Sequence, residues 1–155
     1  MSTPATTASL GGQPVTKTTP ILLPPEDAGN GVIVLKLNVK KLYENVDIQR
    51  FLGEVLDVIG TTKPKAIVIS MENIEYVSSA GIRAFISIAK ELRLMNFGIE
   101  PERGLEAHEN FLVLCSIDPQ IYEAFEVTKL TRQFNITRTK EEAITAAKKL
   151  AGELK

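Results

Sequence analysis

Two adjacent hydroxyls, Ser78 and Ser79, stand between a short β-branched run, Ala66-Ile67-Val68-Ile69-Ser70, and a stretch of helical periodicity. In that stretch Ile82, Phe85, Ile86, Ala89 and Leu92 fall at the spacing of one helical face, and Arg83, Ser87, Lys90 and Glu91 fill the other. The upstream run predicts a strand buried on both sides. A hydroxyl at such a strand-to-helix junction has two uses. It can cap the first N–H groups of the helix, which have no partner inside it. It can also accept a phosphoryl group, because the positive end of the helix dipole and the open N–H groups suit an anion there. Ser78 and Ser79 both qualify for either role.

Other chemistry finds little support in these 155 residues. The chain has one histidine, His108, in an expected loop, and one cysteine, Cys115, in an expected core strand, a poor pair for ligating a metal. It lacks a Gly-x-Ser-x-Gly elbow, a phosphate-binding loop and a dinucleotide glycine pattern. Ser87-Ile88-Ala89-Lys90 matches Ser-x-x-Lys, but the companion motifs are missing and the match lies mid-helix. We therefore expect no enzyme, no metal and no cofactor. A formal net charge of −1 gives no basic footprint for nucleic acid. No apolar run has the length of a membrane span, and no cationic segment followed by an apolar one opens the chain. A lone cysteine suits a reducing compartment, so the expected location is the cytoplasm.

The elements that must hold the serines follow in order. Residues 1–20 are rich in Thr, Ser, Pro, Gly and Ala, with Lys17 the only charged side chain, and predict a flexible tail. Residues 21–155 predict one domain. Ile21-Leu22-Leu23 reads as a short edge strand stopped by Pro24-Pro25, with Glu26 to Gly31 as a turn cluster, and Val32 to Val39 as the clearest strand. A first helix is expected from a cap at Asn45, with a stripe of Ile48, Phe51, Leu52, Val55, Leu56 and Ile59 and a stop at Gly60. The second helix should end near Asn96-Phe97-Gly98. Residues 99–110, with His108, then read as a solvated, insertion-like loop, open to a partner-specific contact. Beyond it come a buried strand at Phe111 to Cys115 and a helix opened by Asp118-Pro119. An edge strand at Gln133 to Ile136 follows. The last helix starts with a capping box, Thr139 to Glu142, and buries Ala143, Ile144, Ala147 and Leu150. Alternating strands and helices define the fold class as α/β, with right-handed crossovers.

Ser78-Ser79-Ala80-Gly81-Ile82, placed after the Ile67-Val68-Ile69 strand, resembles the signature of the STAS domain, shared by sulfate transporters and anti-sigma factor antagonists. The family pattern is Asp-Ser-Ser/Thr-Gly-Leu/Ile, and the hydroxyl after the Asp is its phosphoacceptor. Aligned on Gly81-Ile82, the acceptor falls on Ser79, with Ser78 in place of the Asp and as second choice. The resemblance runs from about Gly31 to Leu150. It implies a mixed sheet of four to five strands with about four helices packed mainly on one side. It further implies an anti-sigma factor antagonist (an anti-anti-sigma factor), monomeric when free. Such a protein binds an anti-sigma factor that is also a serine kinase with an ATP-binding fold, and is reset by a serine phosphatase. On that reading Ser78, Ser79, Ala80, Gly81, Ile82 and Arg83 form the partner surface. The alternative is a STAS scaffold or regulatory module that does not act on a sigma factor.

Overall fold

The structure, a computed structural model, describes residues 20–98 and 110–152. The expected tail, apart from Pro20, and the expected loop with His108, apart from Asn110, lie outside the described residues. The elements run β1 (Glu26–Gly29), β2 (Val32–Lys36), β3 (Lys41–Leu42), α1 (Asn45–Thr62), β4 (Ala66–Ser70), β5 (Tyr76–Val77), α2 (Ser79–Phe97), β6 (Leu112–Cys115), α3 (Pro119–Val127), β7 (Asn135–Thr137) and α4 (Lys140–Gly152). Five strands form one mixed sheet in the order β1-β2-β4-β6-β7, and β3 pairs with β5 in a separate two-stranded ribbon. The α/β class, the antiparallel opening and the four α-helices match the expectation.

β2, β4, β6 and β7 are parallel, with Ile67 opposite Ile33 on one side and Leu112 on the other. Each crossover steps the same way across the sheet, so right-handed connections place α1, α2 and α3 on one face. Every residue of β4 and β6 is buried, so the opposite face is covered too. α4 covers it, and its buried residues are all alanines, Ala143, Ala147 and Ala151. Small side chains at that spacing let a helix lie close on a sheet. The three-helix face is filled by larger groups instead, with the Phe51 and Phe85 rings of α1 and α2 in contact at 5.3 Å.

Several sequence-based boundaries are corrected. Ile21-Leu22-Leu23 forms only a single bridge, Leu22 to Leu37, while Glu26–Gly29 is the antiparallel strand that we expected as a turn. The turn is Asn30-Gly31 alone, both at positive φ (59° and 81°), as a two-residue hairpin turn requires. β1 is an edge strand with exposed Glu26 and Asp27, so it carries no apolar alternation to read. β2 ends at Lys36 rather than Val39, with Leu37 left in the bridge. Asn45 does not cap α1: the N-cap position is Glu44, with no side-chain hydrogen bond. Gly60 does not stop it either. The helix runs to Thr62 and ends at Lys63 in the left-handed region, because a residue before proline, here Pro64, is disfavoured in the helical region. Leu56, expected on the buried stripe, is 37% exposed. Asn110 is not a loop residue in solvent. It is buried, its side-chain carbonyl accepts the Leu112 N–H at 2.8 Å, and its side-chain amide donates to the Gln133 carbonyl at 2.7 Å.

Candidate functional site

The ribbon of β3 and β5 builds the site. β3 follows β2 and β5 follows β4, so both lie at the C-terminal ends of the parallel strands. The ribbon is tied by the Glu75 N–H to the Lys40 carbonyl at 2.6 Å, and the Ser78 N–H donates to the Leu42 carbonyl at 3.0 Å. Alternation along the ribbon turns Leu42 and Val77 into the core and leaves Lys41 and Tyr76 exposed. The chain then enters α2 directly at Ser79.

The two serines divide the available roles. Ser78 is the N-cap: its backbone is extended (φ −78°, ψ 171°) and its hydroxyl oxygen accepts the Gly81 N–H at 3.1 Å. Its carbonyl accepts the Ile82 N–H at 2.9 Å, the first bond of the helix. Ser79, the first helical residue, is exposed. Among the described residues no acceptor meets the N–H of Ser79 or Ala80. No acidic side chain lies in the first turn of α2. Ala80 and Arg83 are exposed beside Ser79, whereas Gly81 and Ile82 are buried beneath it. Gly81 is set by close approach. A Cβ there would lie 2.8 Å from the Leu42 carbonyl oxygen and 2.7 Å from a Val77 methyl. Gly81 and Ile82 therefore shape the turn from inside, and Ser79, Ala80 and Arg83 present its outer surface.

Sequence reading missed the ribbon and with it Tyr43 and Tyr76, which meet edge to face at 5.9 Å and stand about half exposed. Two-residue strands are too short for a periodic signal. The available clue was Gly81 inside a strong helical pattern, which points to a close backbone neighbour.

An open crevice of about 640 Å³ lies at the same end of the sheet, lined by Asn38, Lys40, Glu72, Glu75, Ser116 and Asp118 among others, and Ser79 does not line it. Glu72 on its rim pairs with Lys36 at 2.9 Å, and Asp118 is committed to capping α3 through the Gln120 N–H. Cys115 is buried at the end of β6, and burial pushes its thiol above the ordinary range, away from the reactive thiolate. Among the described residues no group of three or more His, Cys, Asp or Glu could hold a metal ion, and no helix is long and apolar enough to cross a membrane.

Residues 29–99, a little under half of the chain, match the STAS domain family model, a span running from the hairpin through α2. At the level of individual relatives, the chain is 29% identical over 84 residues to BtrV of Bordetella bronchiseptica, described as an anti-sigma factor antagonist. That match covers 54% of this chain and 61% of BtrV, so it spans about three fifths of the relative's length. Among solved structures, the Bacillus cell fate determinant SpoIIAA in its phosphorylated form superposes with a TM-score of 0.54 at 16% identity, over 79% of this chain and 96% of that one. A sulfate transporter family protein from Wolinella succinogenes superposes with a TM-score of 0.57 at 20% identity, over 82% and 93%. These superpositions establish the shared fold.

Proposed function

We propose that this chain is a cytoplasmic anti-sigma factor antagonist with a phosphorylation switch at Ser79. Unphosphorylated, it binds an anti-sigma factor that is also a serine kinase, and the sigma factor is released. Transfer of the ATP γ-phosphoryl group to the Ser79 oxygen ends the binding, and a serine phosphatase restores it. One observation carries this reading: Ser78 spends its hydroxyl on the Gly81 N–H, while Ser79 stands exposed at the same helix mouth. The relationship to BtrV supports the partner class, as does the fold shared with SpoIIAA, which is described as an anti-sigma factor antagonist.

The mechanism follows from charge and position. A phosphate adds about −1.5 to −2 charge at pH 7. On Ser79 it would meet the open N–H groups of Ser79 and Ala80, with Arg83 one turn further on, so the fold accommodates it. A partner packed on the same turn would have to desolvate that dianion, and the complex separates.

The test is incubation with ATP and the candidate serine kinases of the source organism, followed by mass spectrometry of the phosphopeptides. Phosphate on Ser79 is expected, with partner binding lost in Ser79→Asp and retained in Ser79→Ala. Phosphate confined to Ser78 or to residues 1–20 would overturn the site. A second reading, a STAS scaffold or regulatory module outside sigma-factor control, is favoured by the fold shared with a transporter family protein. A large stable assembly on gel filtration, indifferent to ATP and kinase, would select it.

A further inference from the structure

We infer that Tyr43 and Tyr76 form the anchor on which the partner of the Ser79 turn docks, an inference that rests on the reading of that turn as the switch. Their exposure, 50% and 51%, does nothing for the protein's own core. Val46, 69% exposed, stands three residues beyond Tyr43 at the start of α1 and extends the same exposed stretch, whereas other exposed apolar groups lie elsewhere. Phe97 is covered by the Arg93 guanidinium at 4.6 Å and packs on Phe111, and Val127 ends α3. The two tyrosines instead flank the switch. Tyr43 follows Leu42, whose carbonyl accepts the Ser78 N–H, and Tyr76 lies two residues before Ser78 in the ribbon. The two rings and the Ser79 turn are thus carried by one hydrogen-bonded ribbon.

The pair is also suited to binding. Each ring is held by the other and by a hydrogen-bonded ribbon, so little side-chain freedom remains to be lost on association. Tyrosine combines a broad apolar face with a hydroxyl and is enriched among residues that dominate interface energies. Half of two such side chains amounts to roughly 200 Å². That is far below the roughly 800 Å² per partner of a stable interface, so the pair cannot by itself hold two copies of this chain together. It fits an anchor within a larger contact that includes Ser79, Ala80 and Arg83. Exposed Lys40 and Lys41 lie on the same ribbon and, like Arg83 in the first turns of α2, form no ion pair among the described residues, while Glu44 and Glu75 lie next to the two tyrosines in the chain. The matching surface is an apolar pocket for two phenol rings, with acceptors for their hydroxyls and carboxylates facing the lysines.

The experiment places the photo-crosslinking residue p-benzoylphenylalanine at position 43, 76 or 127 of the full chain in cells of the source organism. Positions 43 and 76 should give one and the same adduct, identified by mass spectrometry as an ATP-binding serine kinase, and position 127 should not. Ser79→Asp should abolish that adduct. The double variant Tyr43→Ala, Tyr76→Ala should bind the kinase ten- to a hundredfold more weakly with an unchanged melting curve. No adduct at 43 or 76 while Ser79 still becomes phosphorylated overturns the anchor and leaves the switch standing. An adduct undiminished by Ser79→Asp overturns the switch instead. An adduct of two copies of this chain overturns the proposed partner.

Discussion

Helices α2 and α4 both begin behind a hydroxyl cap, and they differ in what surrounds it. Ser78 accepts the Gly81 N–H at 3.1 Å, and Thr139 accepts the Glu142 N–H at the same distance. At α4 the positive helix end is already answered. Glu141 and Glu142 lie in its first turn, the Glu142 carboxylate accepts the Arg138 N–H at 3.2 Å, and Lys140 is held by Glu26 at 3.0 Å. The first turn of α2 has no acidic side chain, and its first residue is an exposed serine. The same capping device is therefore closed to further negative charge at one helix and open to it at the other. The difference is in the residues after the cap, not in the cap.

The largest effect should come from the support beneath α2. Gly81→Ala should destabilise the fold by about 1–3 kcal/mol in denaturant titration, because the Leu42 carbonyl that blocks the new methyl is backbone. Gly53→Ala, inside α1 with open space around it, should stabilise by about 0.5–1 kcal/mol. Equal effects at the two glycines would mean that the ribbon does not brace the turn.

Removing either cap should cost about 1 kcal/mol, so Ser78→Ala and Thr139→Ala should lower the melting temperature by a few degrees each. A silent Ser78→Ala would leave its hydroxyl available for phosphate and weaken the case for Ser79.

The sharpest test of the comparison is one substitution made at the first residue of each helix. Ser79→Asp should raise stability by about 0.3–1 kcal/mol at low salt, fading as salt screens it. Lys140→Asp, a third carboxylate beside Glu141 and Glu142 that also loses Glu26, should lower it. Scanning calorimetry at two ionic strengths reads both signs, and a falling melting temperature for Ser79→Asp would show that α2 cannot hold an anion.

The smallest effect concerns the surface pair. The Glu26 hydrogen bond and charge hold the Lys140 ammonium above its ordinary value. Its contribution is complete below the unfolded lysine value and is lost as pH rises through the raised one. Lys140→Gln should therefore change the melting temperature near neutrality by a degree or less, since exposed pairs contribute little.

Local sequence determined the parts whose signals are local. The Ala66–Ser70 run, the stripe of α2, that of α1 apart from Leu56, the Asp118-Pro119 start and the Thr139 cap were legible, because burial periodicity and capping chemistry are written within a few neighbouring residues. So was the pair of serines as the point of interest. Only the tertiary structure decided which serine spends its hydroxyl on the helix, since that depends on where α2 begins relative to the Leu42 carbonyl. It alone brought Tyr43 beside Tyr76, across more than thirty positions of chain, and buried Asn110 with its hydrogen bonds where a solvated loop was expected. Contacts between segments remote in sequence leave no period in either segment, and the chain shows them only once the sheet has aligned their ends.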